Sequence, residues 1–120
     1  MSLPPKLVSI HPYFKVHPGK LAAVRALLPA FVAKTTGEPA NVYYEFTVNG
    51  DEVFCREGYT GAAGVLTHLT NVGELLGQML GLSDLVRLEF HGPAAELEQL
   101  REPLAHLKPA WFVWECGVQR

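Results

Sequence analysis

The sequence predicts an α+β protein whose antiparallel sheet has the ferredoxin-like split βαβ order and carries its helices on one face. The first observation is an alternating segment from Val42 to Val48, followed by Asn49-Gly50 and a second such segment from Glu52 to Tyr59. Two turn-forming residues between alternating segments are typical of a β-hairpin. The second observation is that amphipathic helical patterns precede and follow this hairpin and are themselves flanked by predicted strands.

A strand and a helix are predicted before the hairpin. Apolar and polar residues alternate from Leu7 to Val16, and His17-Pro18-Gly19 ends this first strand. From Leu21 to Val32 the apolar residues recur at helical spacing. We therefore expect a helix that ends at Gly37 and bends at Pro29.

The hairpin turn also predicts which side chains face each other. With Asn49-Gly50 at the turn, Tyr43 lies opposite Arg56 and Glu45 lies opposite Phe54. Because side chains alternate between the two faces of a strand, these four side chains share one face of the sheet.

A long helical pattern follows the hairpin, from Ala62 to Met79. Gly73 and Gly77 weaken its second half, so we expect a break near Asn71. A fourth strand is then predicted over Leu85 to Phe90.

The remaining residues add a helix and a strand to the first six elements. Gly92-Pro93 opens the helix, since proline suits a first helical turn, and Pro103 ends it. Trp111 to Cys116 reads as a fifth strand. We expect residues 1–120 to form one domain, with a core over about residues 7–92 and an additional helix and strand over residues 93–120.

The composition excludes some classes of partner. The net charge is -2 and the 10 lysines and arginines are scattered, so a nucleic-acid partner is not expected. No apolar run approaches the roughly 20 residues of a membrane-spanning helix, and Met1-Ser2-Leu3-Pro4-Pro5 lacks the regions of a signal peptide. We expect a cytoplasmic protein with no membrane partner.

No motif predicts a metal, a nucleotide or another bound cofactor. His17 and His106 fall at no ligand spacing with another histidine and a carboxylate, and no phosphate-binding loop or Ser/His/Asp arrangement is present. Cys55 and Cys116 both lie in predicted strands, so we expect buried, reduced thiols. The sequence therefore predicts no metal and no cofactor.

The second face of the predicted sheet needs a cover. Helices on one face leave the other bare, and several strands are too apolar or aromatic on both faces for contact with water. An exposed edge carrying Trp111-Phe112-Val113-Trp114 would promote aggregation. A symmetric homodimer whose sheets close on each other covers this face, so the expected protein partner is a second copy of the chain.

Four segments occur in an order and spacing that together point to a known family. They are Val16-His17-Pro18-Gly19-Lys20-Leu21, the hairpin from Tyr43 to Val53, Glu57-Gly58-Tyr59, and Leu66-Thr67-His68-Leu69. In these segments the chain resembles the dimeric α/β-barrel superfamily, in particular the antibiotic-biosynthesis-monooxygenase-like proteins. It departs from that pattern at Tyr59, near where many members carry tryptophan, and in its third helix and fifth strand.

The resemblance implies a ligand site between the helical layer and the sheet, or inside the barrel. Several members oxidise polycyclic aromatic phenols with dioxygen and no bound cofactor. The implied ligand is therefore a small aromatic molecule, and the implied chemistry needs a base that removes its proton. His68 matches the family position and is the candidate catalytic base. The alternative for His68 is a structural histidine at the boundary of the core.

Further candidates for substrate binding share one polar and aromatic surface of the predicted sheet with Glu89. They are His11, Tyr13, Tyr43, Glu45, Arg56 and Arg87. Salt bridges at a dimer interface are the alternative explanation for the charged residues in this set. The two explanations are compatible, because the interior of a dimeric barrel is also an interface.

Three functions remain open at this point. The first is a cofactor-independent monooxygenase that oxidises a small aromatic or phenolic substrate with dioxygen. The second is a non-catalytic small-ligand-binding or stress-associated barrel. The third is a haem-binding or haem-degrading member, in which His68 would be the axial ligand.

Overall fold

Helices cover one face of a five-stranded sheet in the computed structural model, which describes residues 6–118. The strands are β1 (Leu7–Val16), β2 (Asn41–Asn49), β3 (Glu52–Thr60), β4 (Ser83–Gly92) and β5 (Ala110–Val113). The helices are α1 (Leu21–Thr36), α2 (Ala62–Asn71), α3 (Gly73–Leu80) and α4 (Ala94–Leu104), and a 3₁₀ turn over Ala105–Leu107 follows. The predicted α+β, ferredoxin-like class is confirmed.

The sheet has the order β2-β3-β1-β4-β5. The first four strands pair antiparallel, as predicted, whereas β5 runs parallel to β4. The reason is that α4 connects β4 to β5, and a crossover helix returns the chain in its original direction. The sheet is therefore mixed, and the C-terminal helix and strand extend the split βαβ arrangement at one edge.

Two predicted boundaries near the C-terminus are wrong. Pro103 lies inside α4, which ends one residue later, because a proline this close to the end removes only one backbone hydrogen bond. β5 ends at Val113, which pairs with Gly92, the last residue of β4, so no partner strand continues toward Cys116. Cys116 is consequently exposed, which contradicts the expected burial, whereas Cys55 is buried as predicted.

The hairpin register differs from the predicted one. The observed pairs include Glu45 with Arg56, Tyr43 with Gly58, Thr47 with Phe54 and Asn49 with Glu52. The turn residues are therefore Gly50 and Asp51, and of these Gly50 has the positive φ, 59°. A hairpin turn that needs positive φ at its first position selects glycine there. The shift keeps each side chain on its predicted face, because each pairing moves by two residues.

Two clusters of buried apolar side chains join the helices to the sheet. One includes Phe90 and Leu97 and packs α2 and α4 on β1, β3 and β4. The other includes Phe14 and Phe31 and packs α1 and α3 on β1 and β3. The face of the sheet that carries these clusters is called the inner face below, and the opposite face is called the outer face.

The long helical pattern after the hairpin divides as predicted. α2 ends at Asn71 and α3 begins at Gly73, with Val72 buried between them. The backbone N–H of Val72 donates to the carbonyl of His68 at 3.0 Å. This break leaves His68 in the last turn of α2, buried against the inner face.

Some expectations concern residues that the structure does not describe. Met1–Pro5, on which the expectation of no signal peptide rests, lie outside the described residues. That residues 1–120 form one domain stays a prediction. Within residues 6–118, no helix combines the length and the apolar character that a membrane span requires.

The turn geometry predicts opposite effects for two glycine-to-alanine changes. Gly50→Ala places a Cβ at φ 59° and should lower the free energy of unfolding by about 1 kcal/mol or more. Gly77→Ala, at an open position inside α3, should raise it by up to about 1 kcal/mol. Urea denaturation of both variants measures these changes. A wild-type stability for Gly50→Ala would contradict the observed turn.

Candidate functional site

A partly open cavity of about 70 Å³ lies between the inner face and the helices. This volume exceeds the roughly 10–15 Å³ that one water occupies on the same measure, but it is smaller than the sites of drug-sized ligands. Its wall is mainly apolar and includes Ile10, Phe14, Phe31, Phe46, Leu88 and Phe90. Two ionisable side chains with acid–base chemistry near neutral pH, Glu57 and His68, also line it.

Glu57 reaches this cavity because of its position in β3. Strand alternation turns Val53, Cys55, Glu57 and Tyr59 toward the helices, and Glu57 is only 4% exposed. A carboxyl group on the apolar side of a strand loses its water and needs protein partners. The Tyr59 hydroxyl supplies one of them, donating to Glu57 Oε1 at 2.7 Å.

His68 connects Glu57 to a second buried carboxylate, Glu38. Its Nε2 lies 3.3 Å from Glu57 Oε1, and its Nδ1 lies 2.9 Å from Glu38 Oε2. Glu38 follows α1 and is held in turn by Asn71, whose amide donates to Glu38 Oε2 at 2.8 Å. The result is a continuous buried series, Glu57–His68–Glu38, called the proton relay below.

Two tyrosines of the inner face enclose the His68 ring. The ring centroids of Tyr44 and Tyr59 lie 5.2 and 4.9 Å from that of His68. Both tyrosines keep their protons, since burial raises the pKa of each phenol above its ordinary value. Burial likewise raises the pKa of the Cys55 thiol, so this cysteine is a neutral group of the wall and not a thiolate nucleophile.

Burial shifts the pKa values of Glu57 and His68 in opposite directions. It raises the pKa of Glu57 from its ordinary 4.5 to about 7, against the lowering effect of hydrogen bonds from Tyr59 and Cys55. It lowers the pKa of His68, against the raising effect of the hydrogen bond to Glu38. Glu57 therefore binds a proton more readily than His68 does near neutral pH.

The six residues predicted to bind substrate lie together, but on the outer face. Tyr13 and His11 pack on Phe54, with ring centroids 4.7 and 6.1 Å away, and Glu45 lies opposite Arg56. These residues form one surface with Tyr43, Arg87, Glu89 and His91, and this set is called the outer surface below. The sheet separates it from His68, so the predicted catalytic and binding residues do not meet in one pocket within the chain.

Charges and burial on the outer surface shift three pKa values. Burial and the neighbouring His91 lower the pKa of His11. Hydrogen bonds from His91 and Arg87 hold the pKa of Glu89 below its ordinary value. Burial raises the pKa of Tyr43, whose ring lies across Gly58, where a Cβ would come within 2.6 Å of it.

Sequence reasoning identified His68 but not its two carboxylate partners. The sequence pattern could have identified Glu57, because strand alternation places it with Val53 and Cys55 on the apolar face. No sequence pattern indicates Glu38, since it lies in a loop 30 residues from His68 in the chain. The same alternation that indicated the outer surface thus also pointed to the cavity.

Comparisons with known proteins give matches at the level of structure. No protein-family model matches the chain, and no curated protein matches it. MupZ from Pseudomonas fluorescens is 41% identical with a TM-score of 0.92, and the match covers 96% of this chain and 95% of MupZ.

Two more distant structures show the same fold. Rv0793 from Mycobacterium tuberculosis is 23% identical with a TM-score of 0.64, over 72% of this chain and 94% of that one. A protein named antibiotic biosynthesis monooxygenase is 16% identical with a TM-score of 0.61, over 69% and 92%. The chain therefore belongs to the family of MupZ, and it shares its fold with the protein named antibiotic biosynthesis monooxygenase.

Proposed function

We propose that this chain is an enzyme that moves a proton on a small, largely apolar substrate bound in the inner cavity. The observation that carries this proposal is the proton relay, in which an imidazole and two carboxyl groups are buried in contact with one another beside an apolar space. Buried ionisable groups cost stability, and perturbed groups in a cavity are typical of functional sites.

Each member of the proton relay has a separate task in this proposal. Glu38 accepts a hydrogen bond from His68 Nδ1–H, which leaves Nε2 unprotonated at 3.3 Å from Glu57 Oε1. Glu57 exchanges a proton with the substrate, and His68 acts as the base that takes this proton onward. Glu38 then stabilises the imidazolium, as a carboxylate does beside a catalytic histidine.

The reaction we assign first is cofactor-independent oxidation of a small aromatic or phenolic substrate by dioxygen. Removing the phenolic proton gives an electron-rich anion that reacts with oxygen. One oxygen atom enters the substrate, and the substrate's electrons and protons reduce the other to water. The aromatic wall of the cavity and the name of a fold neighbour, antibiotic biosynthesis monooxygenase, support this assignment.

A second reaction class is favoured by one observation, the pKa of about 7 at Glu57. A carboxyl group that stays protonated in an apolar site can donate its proton to a substrate oxygen. Such an acid suits an isomerisation or another non-oxidative proton transfer, which needs no dioxygen. The two reactions require opposite protonation states of Glu57, so their pH dependence separates them.

The haem-binding alternative fits this site less well. Both ring nitrogens of His68 lie within 3.3 Å of a carboxylate oxygen, and the cavity of about 70 Å³ is far too small for a porphyrin. A non-catalytic ligand-binding barrel would use the same cavity without turnover. The activity measurement below distinguishes it from an enzyme.

The outer surface supports a homodimer in which two sheets face each other, and we include this assembly in the proposal. Aromatic rings cover much of the outer face, and His91 stacks on Phe112 at 4.5 Å. Phe112 is 42% exposed, and Trp114 beside the edge strand is 50% exposed. Burial of this surface against a second copy removes apolar area from water. A cytoplasmic location stays a prediction.

Activity of metal-stripped protein tests the assigned chemistry. We expect oxygen uptake with anthrone or hydroquinone substrates, and about a 100-fold or larger loss of kcat in His68→Ala and Glu57→Gln. The exposed variants His106→Ala and Glu52→Gln are the controls and should retain wild-type rates. Equal rates in wild type and His68→Ala would remove His68 as the base.

The pH profile of the same reaction identifies the role of Glu57. A base in the oxygenase reaction makes kcat/KM rise as the pH passes about 7, whereas an acid in the second reaction makes it fall. Tyr43→Phe on the outer face should leave KM unchanged for a substrate in the cavity. A raised KM in this variant would place the ligand on the outer surface instead.

The raised pKa of Glu57 also predicts a pH-dependent stability. The folded state binds this proton more tightly than the unfolded state, so the stabilising effect of the proton is complete below pH 4.5 and is lost as the pH rises through about 7. Relative to Glu57→Gln, the wild type should lose roughly 2–3 kcal/mol of unfolding free energy between about pH 5 and about pH 8. A constant difference would show that Glu57 titrates normally.

Light scattering tests the dimer. At micromolar concentration we expect a mass twice that of the chain, because the outer surface is apolar enough to need a cover. Tyr13→Glu puts a charge at the centre of this surface and should shift the mass toward the monomer. A wild-type monomer at this concentration would contradict the assembly.

A further inference from the structure

Three potential metal ligands, His11, Glu89 and His91, converge on the outer surface. β1 and β4 pair so that His11 lies directly opposite Glu89, and strand alternation puts His91 on the same face two residues further along. One ligand atom from each of the three lies within 4.8 Å of the others. The strand register thus brings His11 of β1 to Glu89 and His91 of β4, which are distant from it in the sequence.

Hydrogen bonds and ring contacts orient all three side chains. His91 Nε2 lies 2.8 Å from Glu89 Oε1, and the His11 and His91 rings are 4.3 Å apart. The Ser9 hydroxyl holds the His11 ring through a contact of 2.8 Å to Nε2. A hydrogen bond to one ring nitrogen of a histidine is the usual way to orient the ring for ligation through the other.

We propose that His11, Glu89 and His91 bind one divalent transition-metal ion, Zn²⁺ in the first place. Two imidazole nitrogens and one carboxylate oxygen are a donor set found in zinc sites that keep a fourth position open. Tetrahedral ligands at zinc distances lie about 3.3–3.5 Å from one another. Side-chain rotation can therefore close the cluster, which leaves the fourth position for water or a small ligand.

Arg87 limits the affinity of this site. Its guanidinium pairs with the second carboxylate oxygen, Glu89 Oε2, and places a positive charge beside the position of the ion. Arg56 adds a second positive charge on the same surface. The two histidines and Glu89 Oε1 ligate the ion, whereas the positive charges of Arg87 and Arg56 repel it. Removal of Arg87 should therefore strengthen binding.

This site is independent of the proposed proton transfer. The sheet separates it from the proton relay, and its test uses metal binding as the readout, so either proposal can fail without the other. The sequence predicts no metal here because the histidines show no ligand spacing along the chain. The spacing exists only across paired strands, where Glu89 faces His11.

Calorimetric titration of tag-free, chelator-treated protein with Zn²⁺ tests the proposal. We expect one ion per chain, and at least a tenfold loss of affinity in His91→Ala and in Glu89→Gln. His17→Ala is the matched control, because this histidine pairs with Asp84 at 3.0 Å away from the cluster and should not change binding. No binding by the wild type, or equal binding by all variants, would overturn the site.

Arg87→Met supplies a test that misfolding cannot imitate. We expect it to raise the Zn²⁺ affinity several-fold, since it removes the competing cation from Glu89. Replacement of Zn²⁺ by Co²⁺ should also give the visible absorption of a tetrahedral site, and His11→Gln should abolish it. An unchanged or weaker affinity in Arg87→Met, or Co²⁺ bands that persist in His11→Gln, would contradict the proposed ligand set.

Discussion

The burial of the proton relay is the constraint on which the rest of this account depends. Glu57 and Glu38 are 4% and 8% exposed and His68 is 2% exposed, so their polar atoms depend mainly on protein partners. Such a group is tolerated only when its hydrogen bonds are made by the protein, and among the described residues no buried side-chain nitrogen or oxygen lacks a partner. Tyr59 and Asn71 therefore serve the ionisable groups at the two ends of the relay. Apolar side chains at these positions would avoid the free-energy cost of burying ionisable groups. The presence of the network therefore indicates function.

The sheet divides the molecule into two chemical environments. The inner face is mainly apolar, and it carries Glu57 of the proton relay and one wall of the cavity. The outer face carries aromatic rings, two arginines, Glu45, Glu89 and two histidines, in contact with one another. In a face-to-face dimer the outer surface would itself become an interior. One chain can then provide a proton-transfer site on one side of its sheet and an interface with a metal site on the other.

Most of the fold follows from local patterns. The order of strands and helices, the break before Gly73 and the faces of β1 and β3 all follow from hydrophobic periodicity and from glycine and proline positions. The hairpin register depends on Gly50 taking the first turn position, and hydrophobic alternation does not specify which residue takes it. His68 could be singled out by resemblance, and Glu57 by alternation. Glu38 could not, because its contact with His68 is made by tertiary packing of a loop against α2.

Infrared difference spectroscopy of the Glu57 carboxyl group shows whether this buried group is protonated at neutral pH. At neutral pH the wild type should show the C=O stretch of a protonated carboxylic acid in an apolar environment. This band should weaken as the pH rises through about 7, and it should be missing in Glu57→Gln but present in the exposed control Glu52→Gln. A wild-type spectrum without this band at neutral pH would mean that Glu57 is ionised, which would contradict its raised pKa and its proposed role in proton transfer.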